Sequence, residues 1–132
     1  MRLMPLLLAL AVTACGEPAS NGSADDAAEG DLSLELTWTE SRPSLGDNRL
    51  RVRVTTPEGA PVEGAQVTVE PWMPAHGHGP PVSPAVTEQG DGLYEAYPVR
   101  LHMPGRWTLE VEATAPEGAL WGRRTLEWDQ EG

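Results

Sequence analysis

Beyond its first fourteen residues the chain keeps two methionines and three histidines: Met73, His76, His78, His102 and Met103. All five fall in two short segments, PWMPAHGHGPP at residues 71–81 and LHMPGRW at residues 101–107. Thioether sulfur and imidazole nitrogen together make a soft-to-borderline donor set, which suits copper and above all Cu(I). In His76-Gly77-His78-Gly79 the alternating glycines admit positive φ, so both imidazoles can turn toward one point. A packing explanation stands beside this one. The methionines can serve as flexible apolar plugs, and the imidazoles can bond loop carbonyls and amides. Nucleophilic catalysis is not indicated. Ser83 is the nearest hydroxyl to the histidines, and it lies in a proline-flanked loop, so the chain is not expected to be an enzyme.

Convergence of the two segments depends on the elements that carry them. From residue 32 onward the apolar residues recur with a period of two, the signature of half-buried strands. LSLELTWT puts Leu32, Leu34, Leu36 and Trp38 on one face, and RLRVRVTT does the same with Leu50, Val52 and Val54. Val67 and Val69 mark a third strand. A weaker one spans about 92–101 with a bend at Pro98, and GRWTLEVEAT turns Trp107, Leu109, Val111 and Ala113 inward. A last strand carries Leu126 and Trp128, with Gly122 as the expected bulge. Turn residues separate the strands, among them Gly90-Asp91-Gly92 and Met103-Pro104-Gly105. The pattern predicts an all-β fold, an immunoglobulin-like β-sandwich of about seven antiparallel strands. With a short irregular strand near 82–87, Greek-key alternation sends the two Met/His loops to the same end. Trp72 and Trp107, beside those loops, are expected in the core.

The N-terminus has a different character. Arg2 precedes an apolar run from Leu3 to Val12 that is too short to span a bilayer, the outline of a secretory signal peptide over residues 1–14. Val12-Thr13-Ala14-Cys15 resembles the lipobox of bacterial lipoproteins, which makes Cys15 the expected lipidation site. Cys15 is also the only cysteine, so no intramolecular disulfide is available. Residues 15–31 are rich in Ser, Ala, Gly, Asp and Glu, and they are expected to form a disordered tether. The domain is then expected at 32–130, held by its lipid at the periplasmic or outer-membrane face of a bacterial membrane.

Twenty acidic residues against nine basic ones, all arginine, give a net charge of −11. That sign repels nucleic acid, so no nucleic-acid partner is expected. Five Trp and two Tyr, with no Phe, supply the aromatic bulk. WMPAHGHG at 72–79, GDGLY at 90–94 and HMPGRWTLEV at 102–111 resemble, in that order, the YtkA-like family of small exported bacterial domains, related to the FixH-like proteins. The resemblance implies an immunoglobulin-like sandwich, often lipid-anchored, associated with copper handling, metal efflux or oxidase assembly. Two functions are carried forward from this. One is an envelope module that binds copper or another soft metal through the five Met/His residues. The other is a non-catalytic interaction domain with an envelope protein partner and no metal.

Overall fold

The computed structural model describes residues 25–132. The expected signal peptide, Cys15 and the first part of the tether lie outside them. Eight strands follow in chain order: β1 Asp25–Gly30, β2 Ser33–Trp38, β3 Gly46–Thr55, β4 Gln66–Trp72, β5 Ala85–Gly90, β6 Leu93–Leu101, β7 Gly105–Thr114 and β8 Trp121–Gln130. They form two four-stranded antiparallel sheets, ordered β1-β8-β7-β4 and β2-β3-β6-β5. With β1 set aside, this is the strand order of a seven-stranded immunoglobulin sandwich. Among the described residues no helix is long and apolar enough to cross a membrane.

The period-two pattern becomes burial directly. Leu50, Val52 and Val54 of β3 and Tyr94, Ala96 and Val99 of β6, neighbours in one sheet, face Leu109, Val111 and Ala113 of β7 across one closed core. Arginines occupy the exposed positions of β3. At Gly122 no bulge forms, because β7 and β8 keep one register past it. Glycine is needed there for another reason: a Cβ would lie 2.4 Å from the carbonyl oxygen of Leu32, where the chain entering β2 crosses β8. The bend expected at Pro98 is realised as a register shift between β3 and β6 at Asn48/Leu50.

Residues 25–30, expected to be tether, instead form β1 and extend the domain to an eighth strand. No side chain from Asp26 to Gly30 is buried, so apolar burial does not hold this strand. What holds β1 is the free edge of β8, which supplies six backbone partners. Two arginines of β8 add ion pairs, Arg124 with Asp26 and Arg123 with Glu29 at 3.4 Å.

Strand register also fixes the two poles. Gly46 pairs with Leu101, Trp72 with Thr108, and Gly105 with Gln130. The β2–β3, β4–β5 and β6–β7 connections therefore leave the sandwich at one pole, and the β3–β4 and β5–β6 connections at the other. At that second pole the buried Tyr94 hydroxyl donates to the Val62 carbonyl at 2.8 Å and accepts from the Ala65 N–H at 2.9 Å. Tyr94→Phe should therefore cost about 1–3 kcal/mol by stranding both backbone groups, seen as a lower Tm. Burial also pushes the Tyr94 phenol above its usual range, with the Ala65 bond opposing and nearby Glu88 and Glu63 adding. A raised folded-state pKa gives stability that is intact below the unfolded value and lost as pH climbs through the folded one. Melts at rising alkaline pH should fall more steeply for the native protein than for Tyr94→Phe.

Candidate metal centre

Both Met/His segments emerge at the first pole, and each is shaped by its own backbone. Beyond β4 the chain turns back at once. The Met73 N–H donates to the His78 carbonyl at 2.9 Å, and the Met73 carbonyl accepts from His76 at 3.1 Å and Gly77 at 3.0 Å. Gly77 sits at φ +66, a conformation open to glycine at no steric cost. His76 and His78 are both left on the exposed side of this tight loop.

Met73 continues the inward parity of β4. Val67, Val69, Pro71 and Met73 alternate into the interior, and Met73 is fully buried with Leu101 and Trp107 in a cluster distinct from the main core. The same parity corrects the expectation for Trp72. An even position on this strand must face outward, and Trp72 is 41% exposed. Trp107 is in the core as expected, fully buried. Its indole N–H donates to the Met103 carbonyl at 3.0 Å and pins the β6–β7 connection from beneath. Gly105 lies against the plug, since a Cβ there would be 3.0 Å from the Met73 methyl. Met103 is half-buried and packs on the same cluster.

Over this plug the imidazoles form a row. His76 and His78 have ring centroids 5.6 Å apart at 39°, and His78 and His102 are 5.6 Å apart at 37°. His102 then meets the Trp107 ring edge-on at 5.6 Å and 82°. Two imidazoles on one ion, each with nitrogen about 2 Å from it, have centroids about 5–5.5 Å apart, so each neighbouring pair is within a small adjustment of that spacing. The row is nevertheless open. Among the described residues no group of three or more His, Cys, Asp or Glu closes on a point that could hold a metal ion. His78 Nδ1 lies 3.1 Å from the Gly79 carbonyl, which can only accept, so this bond favours the neutral tautomer with the proton on Nδ1 and the lone pair on Nε2. A carbonyl orienting one ring nitrogen in this way is how proteins set the tautomer of a ligating histidine.

The five candidates thus separate. His76, His78 and His102 are brought together at the surface, while Met73 is fully buried and Met103 is half-buried against the same apolar cluster. The His102–Trp107 contact has no signal in sequence spacing beyond both residues flanking one short turn. Truncation should show the same division. Met73→Ala should cost about 2–5 kcal/mol by opening a buried cavity, whereas His76→Ala, at an exposed position, should stay within about 0.5 kcal/mol. Urea denaturation of the two variants is the check.

A family model described as YtkA-like matches residues 26–112, a span that contains both loops and all five Met/His positions. No curated protein and no solved structure matches the chain.

Proposed function

The chain belongs to the YtkA-like family, and on that premise we propose that it is a lipid-anchored module of the bacterial cell envelope that binds copper at the histidine-bearing pole. The observation that carries this is the succession of three exposed imidazoles at 5.6 Å intervals, drawn from two loops far apart in sequence. Neighbouring pairs, His76 with His78 or His78 with His102, would hold the ion, with the Met103 thioether as the soft donor at the margin. His78 would ligate through Nε2, the nitrogen freed by the Gly79 carbonyl. Met73 would act beneath the site by keeping the two loops in contact. Copper homeostasis or oxidase assembly is the setting that this donor set and an exported chain fit best. The role is one of binding and not of catalysis.

Purified full-length protein titrated with Cu(I) against a competing colorimetric chelator should take up one equivalent. His78→Ala and His102→Ala should each weaken binding tenfold or more, about 1.4 kcal/mol or above. Saturating copper should also raise Tm, because an ion that binds only the folded state stabilises it. Equal affinity in a variant lacking all three imidazoles would overturn the metal role. The remaining function would then be envelope protein binding, favoured by the exposed Trp72 beside the same loop. Lipidation has its own test: Cys15→Ser should move the protein from the membrane fraction to the soluble fraction, as loss of an acyl anchor requires.

A further inference from the structure

A second feature of the same pole owes nothing to the histidines. Trp38 at the end of β2, Glu40 and Arg42 on the β2–β3 loop, Asp47 and Arg49 at the start of β3, and Tyr97 on β6 border a cleft of about 200 Å³. Two aromatic side chains, Trp38 and Tyr97, stand in a lining that is otherwise polar. Trp38 is half-buried and braced edge-on by Trp128 at 6.0 Å. Tyr97 is 43% exposed and is held by the Arg49 guanidinium, 4.3 Å over its ring.

Much of the polar lining is already engaged. Asp47 takes two bonds from Arg100 at 2.6 and 3.2 Å, and this pairing holds its carboxyl below the usual range. Arg49 is paired with Glu95. The Asn48 amide at the floor bonds the Ser44, Gly46 and Val99 carbonyls and accepts from the Ser44 N–H. Among the described residues lining the cleft, four groups make no hydrogen bond or ion pair: the Glu40 carboxylate, the Arg42 guanidinium, the Trp38 indole N–H and the Tyr97 hydroxyl. Since no buried side-chain nitrogen or oxygen among the described residues lacks a partner, the Trp38 N–H is not fully buried. Glu40 and Arg42 are set side by side on the rim by a tight turn. The Arg42 N–H donates to the Glu40 carbonyl at 2.6 Å across Ser41, whose φ of +56 is costly for a residue with a Cβ.

These groups are one cation, one anion, one pure donor and one hydroxyl, beside two aromatic side chains. An anionic ligand would meet Glu40 and Asp47 on a chain of net charge −11. A cationic one would meet Arg42 and Arg49. A neutral ring bearing hydroxyls satisfies all four, because each hydroxyl donates to a carboxylate and accepts from a guanidinium or N–H. The apolar C–H face of such a ring lies against an aromatic wall. A cleft of about 200 Å³ is smaller than a drug-sized pocket and suits one ring. We propose that this cleft binds a single neutral sugar ring, free or at the end of a glycan chain.

The test is a series of ¹H–¹⁵N correlation spectra of the full-length protein, in chelator so that no metal intervenes. Titrants are glucose, N-acetylglucosamine, tri-N-acetylchitotriose and, as an anion control, sodium acetate. A sugar should move the Trp38 indole signal together with the amides of residues 39–49, saturating with a dissociation constant of about 1–10 mM for one ring. A tighter value for the trisaccharide marks a glycan end as the natural source; equal values mark the free sugar. Arg42→Ala and Glu40→Gln, both exposed and removed from the core, should each weaken the response about fivefold or more with the remaining spectrum unchanged. A Trp38 signal indifferent to every sugar, a response to acetate in place of sugar, or sugar binding untouched by both substitutions would each overturn the proposal. The histidine variants should bind sugar normally, so failure here and failure of the copper site are read independently.

Discussion

Met73, Leu101 and Trp107 pack into a buried cluster set apart from the main core, and the pole of the sandwich depends on that contact. Each residue comes from a different stretch: Met73 from just beyond β4, Leu101 from the last position of β6, Trp107 from early in β7. Because all three are fully buried, the β4–β5 and β6–β7 connections cannot part without exposing them. The bond from Trp107 to the Met103 carbonyl adds a directional tie to this apolar one. Everything proposed for the histidines requires this plug, since burial of its three side chains is what holds the two histidine-bearing turns together.

The plug also explains how one segment does two jobs. Within residues 73–78 the inward methionine and the outward imidazoles are separated by a single tight turn closed by backbone bonds. Thioether and imidazole look like equal partners in a donor list, yet the fold assigns one to the interior and the others to water. An open row of rings over a rigid base gives access to an ion from solvent without deforming the sandwich. Burying the same rings would have required desolvating them and finding each a partner.

Charge is distributed with similar economy. The arginines of β8 hold the acidic first strand at the sheet edge, and those of β3 and β6 meet Glu95 and Asp47 on the opposite sheet. These pairs are exposed, and each adds little to stability. Their effect is on placement. They cover an edge that would otherwise present unpaired backbone to other chains, while Arg42 and Glu40, on the rim of the cleft, enter none of these pairs.

The strands β2 to β4 and β6 to β8 were legible in the sequence because alternation of apolar and polar side chains is a local property that a half-buried strand must satisfy; β5, expected as a short irregular strand near 82–87, lies at Ala85–Gly90 and carries no such alternation. Confinement of the Met and His residues to two loops was equally legible, and Greek-key alternation was enough to send both loops to one end of the sandwich. Three features were decided only by tertiary structure. Asp25–Gly30 became a strand because β8 had an open edge and two arginines to offer, a circumstance nearly a hundred residues away from it in the chain. Trp72 faces solvent because β4 had already committed its odd positions to the core, a consequence of register that its hydrophobicity alone does not reveal. The imidazole row exists because burial of Met73, Leu101 and Trp107 brings two distant turns to one place, and long-range packing of that kind leaves no periodic mark on the chain.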